Sequence, residues 1–181
     1  MRNDWCRYSF LVLAAVVTIT GGLHAMTAQA QTLATSSRKP IPLSAGPVNV
    51  TLAPPASGEA EPLSSRLGAL RQGRRAYLVL KGLSTNEPPE TLYQVYLGLP
   101  PGVEPKSEGL YYVGAFNFFN AVNPGGASDD SRSFSFDVTD LVNALQSRRS
   151  LGDTVNVTIV PAGKPNTRAK PLVGETALVA Q

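Results

Sequence analysis

The sequence predicts a mainly β fold, an antiparallel β-sandwich or jelly-roll-like barrel of about seven strands with one short helix. Two observations carry this. Apolar and polar residues alternate in Val48–Leu52, Phe134–Val138 and Val155–Ile159, the pattern of strands with one buried face. Between such segments the chain is punctuated by runs rich in Pro, Gly, Asn, Ser and Asp, which favour turns. The domain is expected over residues 40–181, behind a signal peptide at 1–30 and a flexible lead-in at 31–39.

The elements follow in order. Arg2 and Arg7 precede an apolar run from Phe10 to Ile19 and a small-residue stretch ending Ala28-Gln29-Ala30, the layout of an export signal cleaved after Ala30. Spanning a bilayer takes about 20 apolar residues, roughly twice this run, so export to a periplasmic or extracellular location is expected, without stable membrane insertion. Residues 53–72 read as a long connection with a helical turn near Leu63–Leu70. Arg75–Leu83 suits a buried strand, Asn86-Glu87-Pro88-Pro89 a turn, and Thr91–Leu99 a strand with Tyr93, Val95 and Leu97 on one face. Leu110–Phe119 is the most aromatic stretch, and aromatic enrichment favours strand. Alternation places Tyr112, Phe116 and Phe118 on one side and Tyr111, Val113 and Phe119 on the other. Asn123–Ser131 is a loop of turn formers. Thr139 is the expected helix N-cap, with Asp140 in the first turn. Pro161–Pro171 is a loop, and Leu172–Val179 the last strand.

Composition narrows the chemistry. Trp5, Cys6, His24, Met1 and Met26 are the only residues of their types, and all precede residue 30. Residues 31–181 therefore offer no imidazole to shuttle protons or bind metal, and no thiolate. They cannot build a Ser-His-Asp triad, a Cys-His pair or a histidine-ligated metal site. Beyond residue 30 the chain holds 14 basic and 12 acidic residues. Arg74-Arg75 and Arg148-Arg149 flank apolar segments as solvated element ends, so no concentrated basic footprint points to nucleic acid. Asp129, Asp130, Asp137 and Asp140 suggest a carboxylate pair or a calcium site only weakly; loop solvation and helix capping account for them better. Asn49-Val50-Thr51 and Asn156-Val157-Thr158 match glycosylation sequons, but lie in strand patterns and are read as strand residues. The sequence thus assigns no catalytic, cofactor-binding or metal residue. Tyr111, Tyr112, Phe116 and Phe119 are the candidates for a partner or ligand surface: most such aromatics belong to a core, and an exposed pair would be an interface anchor.

Five fragments in order carry a resemblance. They are Leu92-Tyr93-Gln94-Val95-Tyr96-Leu97 with Leu99-Pro100, Tyr112–Phe119 (YVGAFNFF), Phe134–Val142 (FSFDVTDLV), Val157–Pro161 (VTIVP) and Gly174-Glu175-Thr176. Together they resemble the C-terminal β-sandwich domain of tyrosinases and plant polyphenol oxidases, over about residues 40–181. Enzymes of that family carry a preceding helical domain with six histidines on two coppers, which these residues do not include. The resemblance implies a non-catalytic, exported accessory domain without a cofactor, shielding or assisting a separately encoded type 3 copper oxidase. The alternative is a small-ligand or carbohydrate-binding sandwich that uses the aromatic segment.

Overall fold

Each alternating strand has one apolar face to cover, and two sheets cover each other. The structure is a computed structural model; it describes residues 30–37, 39–56, 61–119, 121–122 and 132–181. The strands are β1 (Gln31–Thr35), β2 (Ile41–Pro42), β3 (Val48–Leu52), β4 (Ala76–Lys81), β5 (Tyr93–Leu97), β6 (Tyr112–Phe116), β7 (Ser133–Asp137), β8 (Val155–Pro161), β9 (Leu172–Val173) and β10 (Glu175–Ala180). One four-stranded sheet runs β1-β10-β4-β7, the other β3-β8-β5-β6, and β2-β9 forms a short ribbon. All these pairings are antiparallel. The mainly β sandwich predicted from alternation is the observed fold. The expected signal peptide, apart from Ala30, and the loop Asn123–Ser131 lie outside the described residues. None of the described helices is long and apolar enough to cross a membrane.

The core between the sheets includes Leu78 and Leu80 of β4, Tyr93, Val95 and Leu97 of β5, Val157 and Ile159 of β8, and Leu178 of β10. Fully burying one such side chain is worth about 1.5–3 kcal/mol. Leu63 of helix α1 (Leu63–Arg66), with Leu67 and Leu70 of the following 3-10 turn, joins the same core. Helix α2 (Thr139–Ser147) adds Val142 and Leu145. Leu145 packs so near Gly98 that a β-carbon there would lie 3.0 Å from Leu145 Cδ1, and Gly98 has φ 68°. A side chain at residue 98 would meet both the crowding and the left-handed backbone.

Three expectations change. Gln31–Thr35, taken as a flexible lead-in, is an edge strand paired with β10 and buries Leu33 and Ala34. Its register shifts between Thr32 and Ala34, so two successive side chains are buried and the alternation that marks a strand is erased. Thr139 is the first residue of α2 instead of its N-cap. Asp137 Oδ1 accepts the Thr139 backbone N–H at 3.0 Å and its hydroxyl at 2.6 Å. The third concerns β6. Its register shifts opposite Val95/Tyr96, with Val95 paired to Gly114 and Tyr96 to Tyr112. The extra residue, Val113, breaks the two-residue parity. Tyr112 therefore lies against Tyr96, ring centroids 5.6 Å apart, whereas Phe116 joins the core with Tyr93.

Candidate functional site

Phe116 belongs to an aromatic cluster that bridges the sheets. Its centroid is 5.7 Å from those of Tyr93, Phe118 and Phe134, and Phe134 stacks on Phe136 at 6.5 Å. Phe118 meets Tyr93 edge-on at 5.5 Å. Phe116 is only 1% exposed, so the surface role considered for it from sequence is corrected: it is core. Tyr111 and Tyr112 are half-buried.

Phe119 behaves differently. It is 82% exposed, although its neighbour Phe118 is buried. The cause is local: Asn117 Oδ1 accepts the Phe119 backbone N–H at 2.9 Å, an Asx turn that ends the strand pattern. Phe119 stands at an open cleft of about 700 Å³ lined also by Pro88, Pro89, Leu92, Phe118 and Val122. Leu92 and Val122 are themselves 49% and 41% exposed. Single exposed apolar residues are ordinary; here Leu92, Phe119 and Val122 lie around one cleft.

The wall opposite Phe119 is held from several directions. The Thr85 hydroxyl lies 2.6 Å from the Glu87 carbonyl and 2.8 Å from that of Ala169. Asn166 donates its backbone N–H to Pro89 O at 2.9 Å and its amide to Glu87 Oε2 at 3.1 Å. Arg168 pairs with the same carboxylate at 3.3 Å. Thr85 N–H donates to Ala121 O at 3.0 Å, and Ala121 N–H to Phe118 O at 3.0 Å, so the two walls are tied together at the base. At the lip, Glu90 has φ 60°, a left-handed backbone uncommon for a residue with a side chain. Such a cleft is preorganised: its backbone is already in place, which limits the ordering cost of binding.

Other candidates take structural roles. Asp137 pairs with Arg75 at 3.0 Å. Its carboxyl sits below the usual carboxylate range, first because the Thr139 hydroxyl and N–H bind it and then because Arg75 lies beside it. Asp140 is in the first turn of α2, and Arg148 is its C-cap. Asp129 and Asp130 lie outside the described residues. Among the described residues no three His, Cys, Asp or Glu side chains are grouped as metal ligands. Of the four surface aromatics read from sequence, the structure brings only Phe119 to this cleft. Pro88, Pro89, Leu92, Asn117 and Val122 were not foreseen. The Asn two places before Phe119 was a usable turn signal; the pairing of residues 85–89 with 166–169 had none.

A family model described as Domain of unknown function (DUF7868) matches residues 30–181. No curated protein matches the chain significantly. Among solved structures, the chain is similar to a recombinantly expressed latent aurone synthase (polyphenol oxidase), with a TM-score of 0.49 and 18% identity. That match covers 77% of this chain and 25% of the other. It is also similar to latent apple tyrosinase, with a TM-score of 0.48 and 15% identity over 78% of this chain and 27% of that one. The chain thus spans about a quarter of the length of these structures.

Proposed function

The chain belongs to the family described as Domain of unknown function (DUF7868), and from that premise we propose that it is a non-catalytic docking module. Its contact surface is the apolar cleft around Phe119. The observation that carries this is the 82% exposure of Phe119 beside exposed Leu92 and Val122, on a cleft whose walls are tied by hydrogen bonds. A few large side chains seated in a partner's pockets carry most of an interface's binding energy, and Phe119 is the large apolar side chain this cleft offers.

The partner we assign is the catalytic domain of a type 3 copper oxidase carried on a separate chain, with an exported location for both. Two features of the sequence support it. The ordered fragments from Leu92 to Thr176 resemble the tyrosinase C-terminal sandwich, and residues 31–181 contain no histidine with which to hold copper themselves. In this account the protein supplies surface and the partner supplies chemistry.

The test has two arms. The purified protein, given copper and a diphenol, is expected to show no turnover above buffer. Mixed with a tyrosinase-type catalytic domain that lacks its own C-terminal sandwich, it is expected to sediment as a one-to-one complex. Intrinsic turnover, or separate sedimentation at concentrations of about 100 μM, contradicts the proposal.

A further inference from the structure

The outer face of the second sheet carries two reciprocal side-chain pairs. Asn49 and Thr51 project from β3 away from the core residues Val50 and Leu52. The register sets Asn49 opposite Thr158 and Thr51 opposite Asn156. Thr158 Oγ1 donates to Asn49 Oδ1 at 2.8 Å, and Thr51 Oγ1 donates to Asn156 Oδ1 at 2.9 Å. Each hydroxyl proton is therefore engaged, and each amide oxygen accepts one bond and keeps a second lone pair. What remains free to face outward is the two amide NH2 groups of the exposed Asn49 and Asn156, with two donors each, and the lone pairs of the exposed Thr51 hydroxyl, whereas Thr158 is buried, at 5% exposure. Opposite residues of the quartet lie about 5 Å apart and diagonal ones about 7–8 Å.

The same register continues the row across the sheet from Thr158 to Tyr96 and on to Tyr112. Above it the segment 99–111 forms a wall, so that two hollows adjoin. One, of about 310 Å³, has the Asn–Thr quartet as its floor and Pro100, Pro101 and Val103 among its sides. The other, of about 270 Å³, is lined by Tyr96, Leu110 and Tyr111, with the oppositely charged Glu104 and Lys106. They share Leu99 and Val103. No ionisable side chain lines the first hollow.

We infer that this groove binds a neutral saccharide, held through its hydroxyls by the Asn49–Thr158 and Thr51–Asn156 pairs and through its C–H faces by the apolar wall. A charged ligand would leave its charge uncompensated over the quartet, and a purely apolar one would cover four free amide N–H bonds without replacing their water. A hydroxylated ring satisfies both demands. Its vicinal hydroxyls each donate and accept, and its carbon skeleton packs on Leu99, Val103 and the prolines. The site is separate from the Phe119 cleft and does not depend on the docking role.

The experiment is a nuclear magnetic resonance titration of the purified protein with maltotetraose, cellotetraose, mannotetraose and chitotetraose, each to about 10 mM. It follows the side-chain NH2 signals of Asn49 and Asn156. At least one saccharide is expected to shift both signals saturably. Asn156→Asp, which keeps the shape and removes the donors, and Thr51→Val are each expected to weaken that binding about ten-fold or more. Phe119→Ala is expected to leave it unchanged. Failure of all four saccharides to move these signals overturns the inference. So does binding that both quartet variants retain with their backbone spectra intact, or binding abolished by Phe119→Ala.

Discussion

Asn117 accepts the backbone N–H of Phe119 through its side-chain oxygen at 2.9 Å, so the backbone that presents this 82% exposed ring is turned two residues upstream. Asn117 is itself exposed, and surface changes away from packing usually move stability by no more than about 0.5 kcal/mol. Asn117→Ala is therefore expected to leave the thermal midpoint within about 2–3 °C while weakening partner binding about three- to ten-fold through looser presentation of Phe119. Calorimetric titration alongside a melting curve separates the two effects. Unchanged affinity would show that the turn does not orient the ring.

Gly114 and Phe136 join the two sheets at the edge opposite β1 and β3. A β-carbon on Gly114 would approach Phe136 Cε1 to 2.8 Å and Cδ1 to 2.9 Å. Gly114→Val should displace the Phe136 ring and disturb its stack on Phe134, with a loss of about 1–3 kcal/mol. The denaturant midpoint reports it. Wild-type stability would mean that the sheets can separate there without loss.

Tyr93 is fully buried, and its hydroxyl has no hydrogen-bond partner among the described residues. Burial pushes its phenol above the ordinary value. Tyr93→Phe keeps the ring contacts and removes the stranded hydroxyl, so stability at neutral pH should hold or rise by about 1 kcal/mol. The raised folded value also fixes the alkaline behaviour. The contribution of the neutral phenol is complete below the unfolded value near 10 and is lost as pH rises through the folded one. Unfolding free energies from about pH 9 to 11 should thus fall less steeply in the Phe variant. An equally steep fall in both would contradict this.

Asp137 acts in the opposite direction. Its folded value is lowered, so its contribution is present above the unfolded value near 4 and disappears as pH falls through the folded one. The Thr139 hydroxyl is the largest cause and Arg75 a smaller one, and the ion pair is well exposed, where such pairs are worth little. Thr139→Val should consequently shift the acid limb of a stability curve more than Arg75→Ala. The variant also loses the bond from Ala76 N–H to Thr139 Oγ1. The reverse order of the two variants would assign the effect to Arg75.

Much of the sandwich was legible because period-two alternation survives wherever a strand has one dry face, as in β3 and β7. It fails where the register slips. The irregularity at Leu33 concealed β1, and the one at Val113 put Tyr112 and Phe116 on different sides. The helix start shifted by one because Asp137 could do what Thr139 was expected to do. The candidate site was visible only in Phe119. The cleft around it depends on contacts between residues about 80 apart in sequence, such as Glu87 with Asn166, which no local pattern announces. The two N-x-T triplets were likewise visible as triplets, but their reciprocal pairing is a property of the β3–β8 register.

The docking account rests on one side chain, and its most direct test is the affinity of the purified protein and of its Phe119→Ala variant for a tyrosinase-type copper catalytic domain, measured by calorimetric titration. Truncating an interface anchor costs about 2 kcal/mol or more, roughly 30-fold in Kd, while removing an 82% exposed ring should leave the unfolding midpoint unchanged. Binding by the wild type with about 30-fold weaker binding by the variant is the predicted result. Equal affinity for the two proteins, or no binding by either, would contradict it.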